Sequence, residues 1–298
     1  MHYEADLPQN EIARQLGLST ATVSRLLRRA RDEGIVNIEI RAYETTADTA
    51  KRIKRLLRVR RVEVVDGPEA GIPPGLASSV GSVLKDGKVG DGSILALGWG
   101  RAVRDVIRMG LPGLPGVITI PATGGMQQAA PHFQINEFVR LAAEQLGGTP
   151  QFIHAPYLPS SQAREAFLRE ASIRERVELW DKVDAAVVGV GLPHKVDPVH
   201  AGAATSSELA LTNVAGDVVR HYFDANGNII PWKGGERVIS ISVEQLRAVP
   251  IVIGVAASPG KANAIIGAVR ARLINVIVTD RATAAAILAK IEIEPGSA

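Results

Sequence analysis

The stretch that most constrains this chain runs from Gln9 to Arg29, QNEIARQLGLSTATVSRLLRR. Read at a helical period it gives two short helices broken at Gly17. Ile12, Ala13 and Leu16 form one apolar face, and Gly17 can turn the chain with positive φ at no side-chain cost. Leu18 then re-enters the core, Ser19 is placed to cap the second helix, and Val23, Leu26 and Leu27 face inward. A small Ala13 at the crossing and a branched, buried Val23 suit two helices that meet at about a right angle through a short turn, which is a helix-turn-helix. The outward face of the second helix carries short hydroxyls followed by arginines, groups suited to base edges and phosphates in a major groove. On this reading Ser19, Thr20, Thr22, Ser24, Arg25 and Arg28 carry contacts to double-stranded operator DNA. The competing reading, a helical hairpin packed inside another domain, gives no reason for the absence of carboxylates from Ser19 to Arg31.

Composition supports two domains of unequal size. With 298 residues, 46% of them apolar, the chain is long enough for one small and one large core. It has no cysteine, so disulfides and thiolate metal sites are excluded and a reducing, cytoplasmic setting is expected. No apolar run approaches a membrane span, and polar residues rather than a signal sequence follow Met1. The net charge of +3 conceals an asymmetry: residues 1–61 carry a balance of +5 and the remainder −2. A basic small domain joined to a slightly acidic large one is the distribution expected when only the first meets nucleic acid.

Taken in order, residues 1–45 read as the DNA-binding domain. So little precedes Gln9 that a truncated first helix is expected, with its tail in Met1, His2 and Tyr3 and a loosely packed small core. Ile35, Val36, Ile38 and Ile40 suggest a short strand or wing. Residues 46–61 read as a basic linker helix, capped by Thr46 or Asp48, with Ala50, Ile53, Leu56 and Leu57 on one face. Its cations could meet DNA phosphates or a partner subunit, or form a solvated face.

Residues 62–298 read as the effector domain, because short β-branched runs alternate there with helical segments. Strands are expected at Val62–Val65, Ile94–Leu97, Val117–Ile120, Phe152–His154, Ala185–Val190, Val238–Ser242, Ile251–Val255 and Val276–Val278. This alternation predicts an α/β fold with a mostly parallel sheet covered on both faces, and ligands in such sheets bind beyond the carboxyl ends of strands. Gly98 and Gly100 flank Trp99 at one such end, and a helix opening near Arg101 offers free amides to an anion. Ser258 can cap another helix with Pro259 at its first position and Lys261 in its first turn. A cation there opposes the helix dipole at about 0.3–1 kcal/mol, which an adjacent anion would offset. Surface cations of little consequence are the alternative. Gly124 and Gly125 follow a third strand, with Asn136 and Glu137 opening the next helix. Asp217 could bind sugar hydroxyls, or cap a helix or hydrogen-bond in the core. Gly191, His194, Asp197 and His200 share a loop, but it has neither i, i+4 spacing nor a fourth ligand, so no metal is expected.

These segments together resemble the SorC family of sugar-binding bacterial transcriptional regulators, over Tyr3 to about Leu288. The likeness is carried by NEIARQLGLSTATVSRLLRRARDEGIV, LGWGRAV, INEFVRLAAEQLGG, AGDVVRHYFDANG and GVAASPGKANAIIGAVRARLINVIVTDRATAAAIL, with the block from His154 to Gly191. The resemblance implies a Rossmann-like effector domain similar to glucosamine-6-phosphate deaminase and ribose-5-phosphate isomerase, used for sensing. It implies a sugar, sugar phosphate or polyol effector, no cofactor, and a homo-oligomer, dimer or tetramer, on operator DNA. The effector site it implies comprises Gly98, Trp99, Gly100, Arg101, Gly124, Gly125, Asn136, Gly191, Asp217, Arg237 and Lys261. Where many members carry a Thr or Ser after the GxGR element, this chain has Ala102. One hydrogen bond of about 0.5–1.5 kcal/mol to a phosphate is thereby lost, leaving room for a free sugar or polyol.

The chain is therefore expected to regulate a carbohydrate-utilisation operon and not to be an enzyme. The alternative is a sugar-phosphate isomerase or deaminase fused to a helix-turn-helix. That chemistry needs a base beside the substrate carbon, and no compact Asp, His and Glu cluster stands at a strand end.

Overall fold

The computed structural model describes residues 1–2, 7–36, 45–67, 73–126, 134–194 and 204–293. The chain divides into two compact units, Met1–Glu44 and Thr45–Ala298.

In the first unit α1 spans Gln9–Leu16 and α2 spans Thr20–Asp32. Gly17 ends α1 in the left-handed region at φ 66°, where a glycine turns without strain. Ser19 caps α2, its Oγ accepting the Thr22 amide at 3.1 Å. Ile12, Ala13 and Val23 form the buried centre, with Leu7 and Leu27 half-buried against it. Leu16, Leu18 and Leu26 do not face inward as the periodicity suggests; they are 53%, 40% and 51% exposed. Two crossed helices share one contact face, and those three leucines lie outside it. Of the expected wing, Ile35 is exposed and Ile38 and Ile40 lie outside the described residues.

The larger unit is built on a parallel sheet with strand order β1–β10–β9–β5–β2–β3–β4. The strands are β1 Arg61–Val65, β2 Ile94–Leu97, β3 Ile118–Pro121, β4 Thr149–Pro150, β5 Ala185–Gly189, β9 Ile251–Val255 and β10 Val276–Asp280. Every neighbouring pair is parallel. Both faces are apolar, as a sheet covered on two sides requires. Leu95, Leu97, Val187, Ile253 and Val278 pack with Leu76, Val103 and Val139 on one side. These partners come from α4 (Gly75–Asp86), α5 (Arg101–Met109) and α6 (Ile135–Leu146). Ile94, Ala96, Val188, Val252 and Ile277 face the other side with Ile53, Ile173, Ile265 and Ile287.

Two expected strands are absent from the sheet. At Phe152–His154 the Ile153 amide is taken by the Asn136 side chain at 3.4 Å, so the ladder stops after Pro150. At Val238–Ser242 the amides of Ile239 and Ile241 go to Tyr157 O and Ala122 O, two separate segments, and no single partner strand results. A small antiparallel sheet was not anticipated: β6 Gly216–Val218, β7 His221–Phe223 and β8 Ile229–Ile230. After α7 (Ser161–Arg169) and α8 (Ala171–Val177), α9 spans Ser206–Leu209 and α10 Val243–Ala248. The last two helices are α11 (Ala262–Arg270) and α12 (Arg281–Ile293). No helix among the described residues is long and apolar enough to cross a membrane.

The helix read as a linker, α3 (Thr46–Leu57), belongs to the larger unit. Its cap is Thr45, whose Oγ1 accepts the Asp48 amide at 3.1 Å. Ile53 is fully buried in the core against β1 and α12, and Arg52 pairs with Glu292 of α12. Ile53→Ala is accordingly expected to destabilise the larger unit by about 2–5 kcal/mol in urea unfolding, where a free linker would lose less than about 0.5 kcal/mol.

Candidate functional site

The order of the sheet reverses direction between β2 and β5. From β2 the chain moves outward to β3 and β4; it returns to place β5 on the other flank of β2, and β9 and β10 follow on that side. The carboxyl ends of β2 and β5 therefore open the crevice where α/β sheets bind ligands. A cleft lies there, lined by the turn after β2, the turn after β5, the β6–β7 hairpin and Lys261.

Each wall follows from local constraints. After β2, Gly98 lies against β5, where a Cβ would sit 3.3 Å from the Val188 Cα. Gly100 precedes α5 at φ 117°, ψ 164°, a conformation essentially restricted to glycine, and no side chain caps the helix. The start of α5 therefore borders the cleft, with Arg101 and the methyl of Ala102, which offers no hydrogen bond, in the lining. After β5, Gly191 bridges Asp217 in both directions, N to O at 2.9 and 3.4 Å. A Cβ on Gly191 would approach the Asp217 Oδ1 to 2.0 Å, so only glycine admits that carboxylate. Lys261 closes a single 3-10 turn, Pro259–Lys261, that leads into α11, and its Nζ donates to Val190 O at 2.8 Å. Ser258 makes no capping bond; its amide donates to Thr283 Oγ1 at 2.7 Å.

A polar cluster that the sequence reading did not identify adjoins the cleft and puts His194 and Arg220 in its lining. Arg220 is 4% exposed. Its Nη1 donates to Glu208 Oε1 at 3.0 Å, to Tyr222 Oη at 3.0 Å and to His194 Nε2 at 3.1 Å. The Tyr222 hydroxyl donates to the same Glu208 oxygen at 2.7 Å. The guanidinium carbon stands 5.3 Å from the Trp99 ring centroid and 5.9 Å from that of Tyr157. Burial alone works against the Arg220 charge, but Tyr222, Glu208 and Asp217 outweigh it and the guanidinium is held above its ordinary range. Burial pushes the Tyr157 phenol well up, and the Glu208 carboxylate pushes it further. Glu208 was findable: it is the fourth residue of Thr205-Ser206-Ser207-Glu208, and its Oε2 accepts the Thr205 amide at 2.7 Å in a full capping box. Arg220 gave no such signal, because it stands where a hairpin turn ordinarily carries glycine or asparagine.

Of the residues singled out from sequence, Trp99, Gly100, Arg101, Gly191, Asp217 and Lys261 line this cleft. Gly98, Gly124, Gly125, Asn136 and Arg237 do not. The Gly124 and Gly125 amides donate to Ile239 O and Ala155 O, each at 2.8 Å, and a Cβ on Gly124 would meet Ala155 O at 2.7 Å. Asn136 ties α6 to the backbone of Ile153, donating to its carbonyl at 3.2 Å. Arg237 reaches Pro159 O at 3.4 Å beside Glu236. Trp99 is 8% exposed, and its ring is already in contact with Arg220 and Tyr157. Asp217 commits Oδ2 to the Arg220 amide at 3.0 Å, so part of its role is to hold the hairpin. No group of three or more His, Cys, Asp or Glu among the described residues could hold a metal ion; Asp197 and His200 lie outside them.

In the smaller unit Ser19, Thr20, Arg25 and Arg28 are exposed, and Thr22 and Ser24 are half-buried. Thr22 Oγ1 lies 2.8 Å from Ser19 Oγ, so both hydroxyls serve the cap as well as the surface. Arg29 pairs with Glu33 at 2.6 Å, whereas Arg25 and Arg28 make no ion pair among the described residues.

Comparison with known proteins agrees with both halves of this description. Residues 41–289 match the Sugar-bind family of sugar-binding domains, and residues 2–37 match a winged helix-turn-helix DNA-binding family. The chain is 31% identical over 300 residues to the sorbitol operon regulator of Klebsiella pneumoniae, covering 97% of this chain and 95% of that protein. It is 27% identical over 297 residues to a deoxyribonucleoside regulator of Bacillus subtilis strain 168, with the same two coverages. The crystal structure of the full-length sorbitol operon regulator SorC from Klebsiella pneumoniae superposes with a TM-score of 0.73 at 30% identity, covering 96% of this chain and 95% of that one. Matched in sequence, fold and domain content over nearly its whole length, the chain belongs to the SorC family of sugar-binding bacterial transcriptional regulators.

Proposed function

We propose that this chain is a cytoplasmic transcriptional regulator of a carbohydrate-utilisation operon, controlled by a sugar, sugar phosphate or polyol bound in the cleft between β2 and β5. The observation that carries the reading is the cleft itself: it sits at the reversal of strand order, and Arg101 and Lys261 bring cations to the starts of two helices there. Residues 1–45 form the DNA-binding part, with Ser19, Thr20, Thr22, Ser24, Arg25 and Arg28 at the groove. Of the eleven residues assigned to the effector site, the six that line the cleft contact the ligand; the other five shape the turns around it. The chain acts as a homo-oligomer, dimer or tetramer, whose symmetry matches a palindromic operator. Effector shifts the population of its arrangements only as far as its affinities for them differ.

A regulator rather than an isomerase or deaminase fits this cleft, since Asp217, its one carboxylate among the described residues, already accepts a backbone amide. Turnover of sugar phosphates by the purified protein would reverse that choice.

The first test is a thermal-shift screen of the full chain with matched free and phosphorylated sugars and polyols. Ligand at a hundredfold its Kd adds about 2.7 kcal/mol, which moves Tm by a few degrees. Lys261→Ala is expected to weaken a phosphorylated effector by about 1.5–3 kcal/mol while operator affinity without ligand stays intact; equal effector affinity in the variant removes Lys261 from the site. Arg25→Ala is expected to do the opposite, weakening operator DNA by roughly 1–3 kcal/mol in mobility shifts at fixed salt. Unchanged operator binding counts against α2 as the recognition helix.

A further inference from the structure

The basic charge of this chain does not lie in the helix-turn-helix. Residues 1–44, the smaller unit, hold six Arg against seven Asp and Glu, a balance of −1. Residues 45–61 hold seven Lys and Arg against Asp48 alone, a balance of +6. The positive charge of residues 1–61 is therefore that of α3 and the turn after it, and both belong to the larger unit.

α3 displays this charge on the side away from its buried face. Thr49 and Ile53 are buried, whereas Lys51, Lys54 and Arg55 are exposed, and an exposed Arg58 ends the helix. Arg60 carries the charge on to the amino-terminal edge of the sheet, opposite the cleft: its amide donates to Asn275 O at 2.9 Å and its Nη1 to Pro250 O at 3.1 Å, just before β1 and β10 begin to pair at Arg61 and Val276. Within the segment Arg52 is paired with Glu292, and Arg61 with Glu63 and Asp86. Lys54, Arg55 and Arg58 make no ion pair among the described residues. Arg58 also holds φ 53°, a position after a helix that glycine or asparagine fills at less cost. The dipole of α3 favours cations in its last turn, Lys54 and Arg55, but not Lys51 four residues before Arg55, where like charges repel.

Resting on the DNA-binding reading above, we propose that α3 and the turn after it form a second DNA-contacting surface, on the larger unit, which takes the phosphate backbone of duplex DNA without reading its sequence. Neutralised phosphates release counterions, and that release supplies most sequence-independent affinity. The smaller unit, at −1, has little net charge to contribute to it, while α3 presents its cations from a helix anchored in the core by Ile53. A second copy of the chain fits this face less well, because a two-fold contact centred on it sets like charges against one another.

The test measures Kd of the full chain by fluorescence anisotropy across a sodium chloride titration. One duplex is selected by the wild type from a random-sequence pool, and the other is a scrambled duplex of the same length. The triple variant Lys54→Gln, Arg55→Gln, Arg58→Gln is expected to weaken both duplexes by the same factor, roughly tenfold or more at about 0.1 M salt, and to flatten the slope of log K against log salt by about 2–3. Arg25→Ala is expected instead to weaken the selected duplex more than the scrambled one. Arg58→Asn separates charge from structure, since asparagine takes positive φ more readily: it is expected to weaken both duplexes while Tm is unchanged or higher. Circular dichroism establishes that the triple variant is folded; should it not be, Arg58→Asn decides. A folded variant with the wild-type slope and affinities overturns the inference, and so does a loss confined to the selected duplex. A triple variant that sediments as a smaller species also overturns it, and makes this face an interface between copies. In each of these cases the helix-turn-helix reading stands on the Arg25→Ala result. A wild type that retains no duplex from the pool overturns the DNA-binding reading and the inference together.

Discussion

Because the main sheet is parallel throughout, no strand in it can return through a tight hairpin, and every connection must cross one of its faces. Both faces are therefore buried, and a ligand can approach the sheet at the ends of its strands. The order β1–β10–β9–β5–β2–β3–β4 reverses at one place, between β2 and β5. Glycines at 98, 100, 189 and 191 concentrate at that point. Those at 98, 189 and 191 admit backbone or a carboxylate within 3.4 Å of where a Cβ would stand, and Gly100 supplies a conformation other residues avoid. The cleft is thus a consequence of topology, and the glycines keep it open.

The chemistry of the cleft depends on a structure that is costly to maintain. Val219 and Arg220, two non-glycine residues at positive φ, cost of order 1–3 kcal/mol each. A buried ion pair such as Arg220 with Glu208 contributes little net stability, because desolvation of both charges consumes most of the Coulombic gain. Contact with Trp99 returns about 0.5–2 kcal/mol, and each charge-assisted hydrogen bond about 1.5–3. An apolar pair of similar volume would serve the fold as well or better.

How far the sequence disclosed this depends on how strongly each segment declares its period. β2, β9 and β10 are runs of branched apolar residues flanked by glycine or polar turns, and they fold as read. Gly17, Ser19 and the buried Val23 likewise follow from residue type. β6 and β7 are three residues each and interleave Asp217 and His221 with apolar positions, so no window is long enough to show alternation. Their turn, Val219-Arg220, lacks the glycine or asparagine that identifies a hairpin. Val238–Ser242 has the right composition for a strand but divides its amides between two partners, a tertiary fact beyond the reach of composition. Leu16 and Leu26 obey the helical period and are nevertheless exposed, because period gives a face and cannot say what covers it.

The placement of α3 bears on how a bound effector could be felt outside the cleft. Lys261 ends the turn that begins after Ser258, and the Ser258 amide is held by Thr283 at the start of α12. The far end of α12 carries Glu292, which pairs with Arg52 of α3, and Ile53 beside it is fully buried between them. A linker helix free of the core could absorb a shift of α12 by swinging aside. With Ile53 in the core, α12 can move only if α3 moves with it or if close-packed contacts are given up, and packed interiors resist the second course. Coupling still requires two discrete arrangements with different affinities for ligand. What the packing removes is the easiest route by which such a difference would dissipate before it reached Thr45, where the larger unit begins.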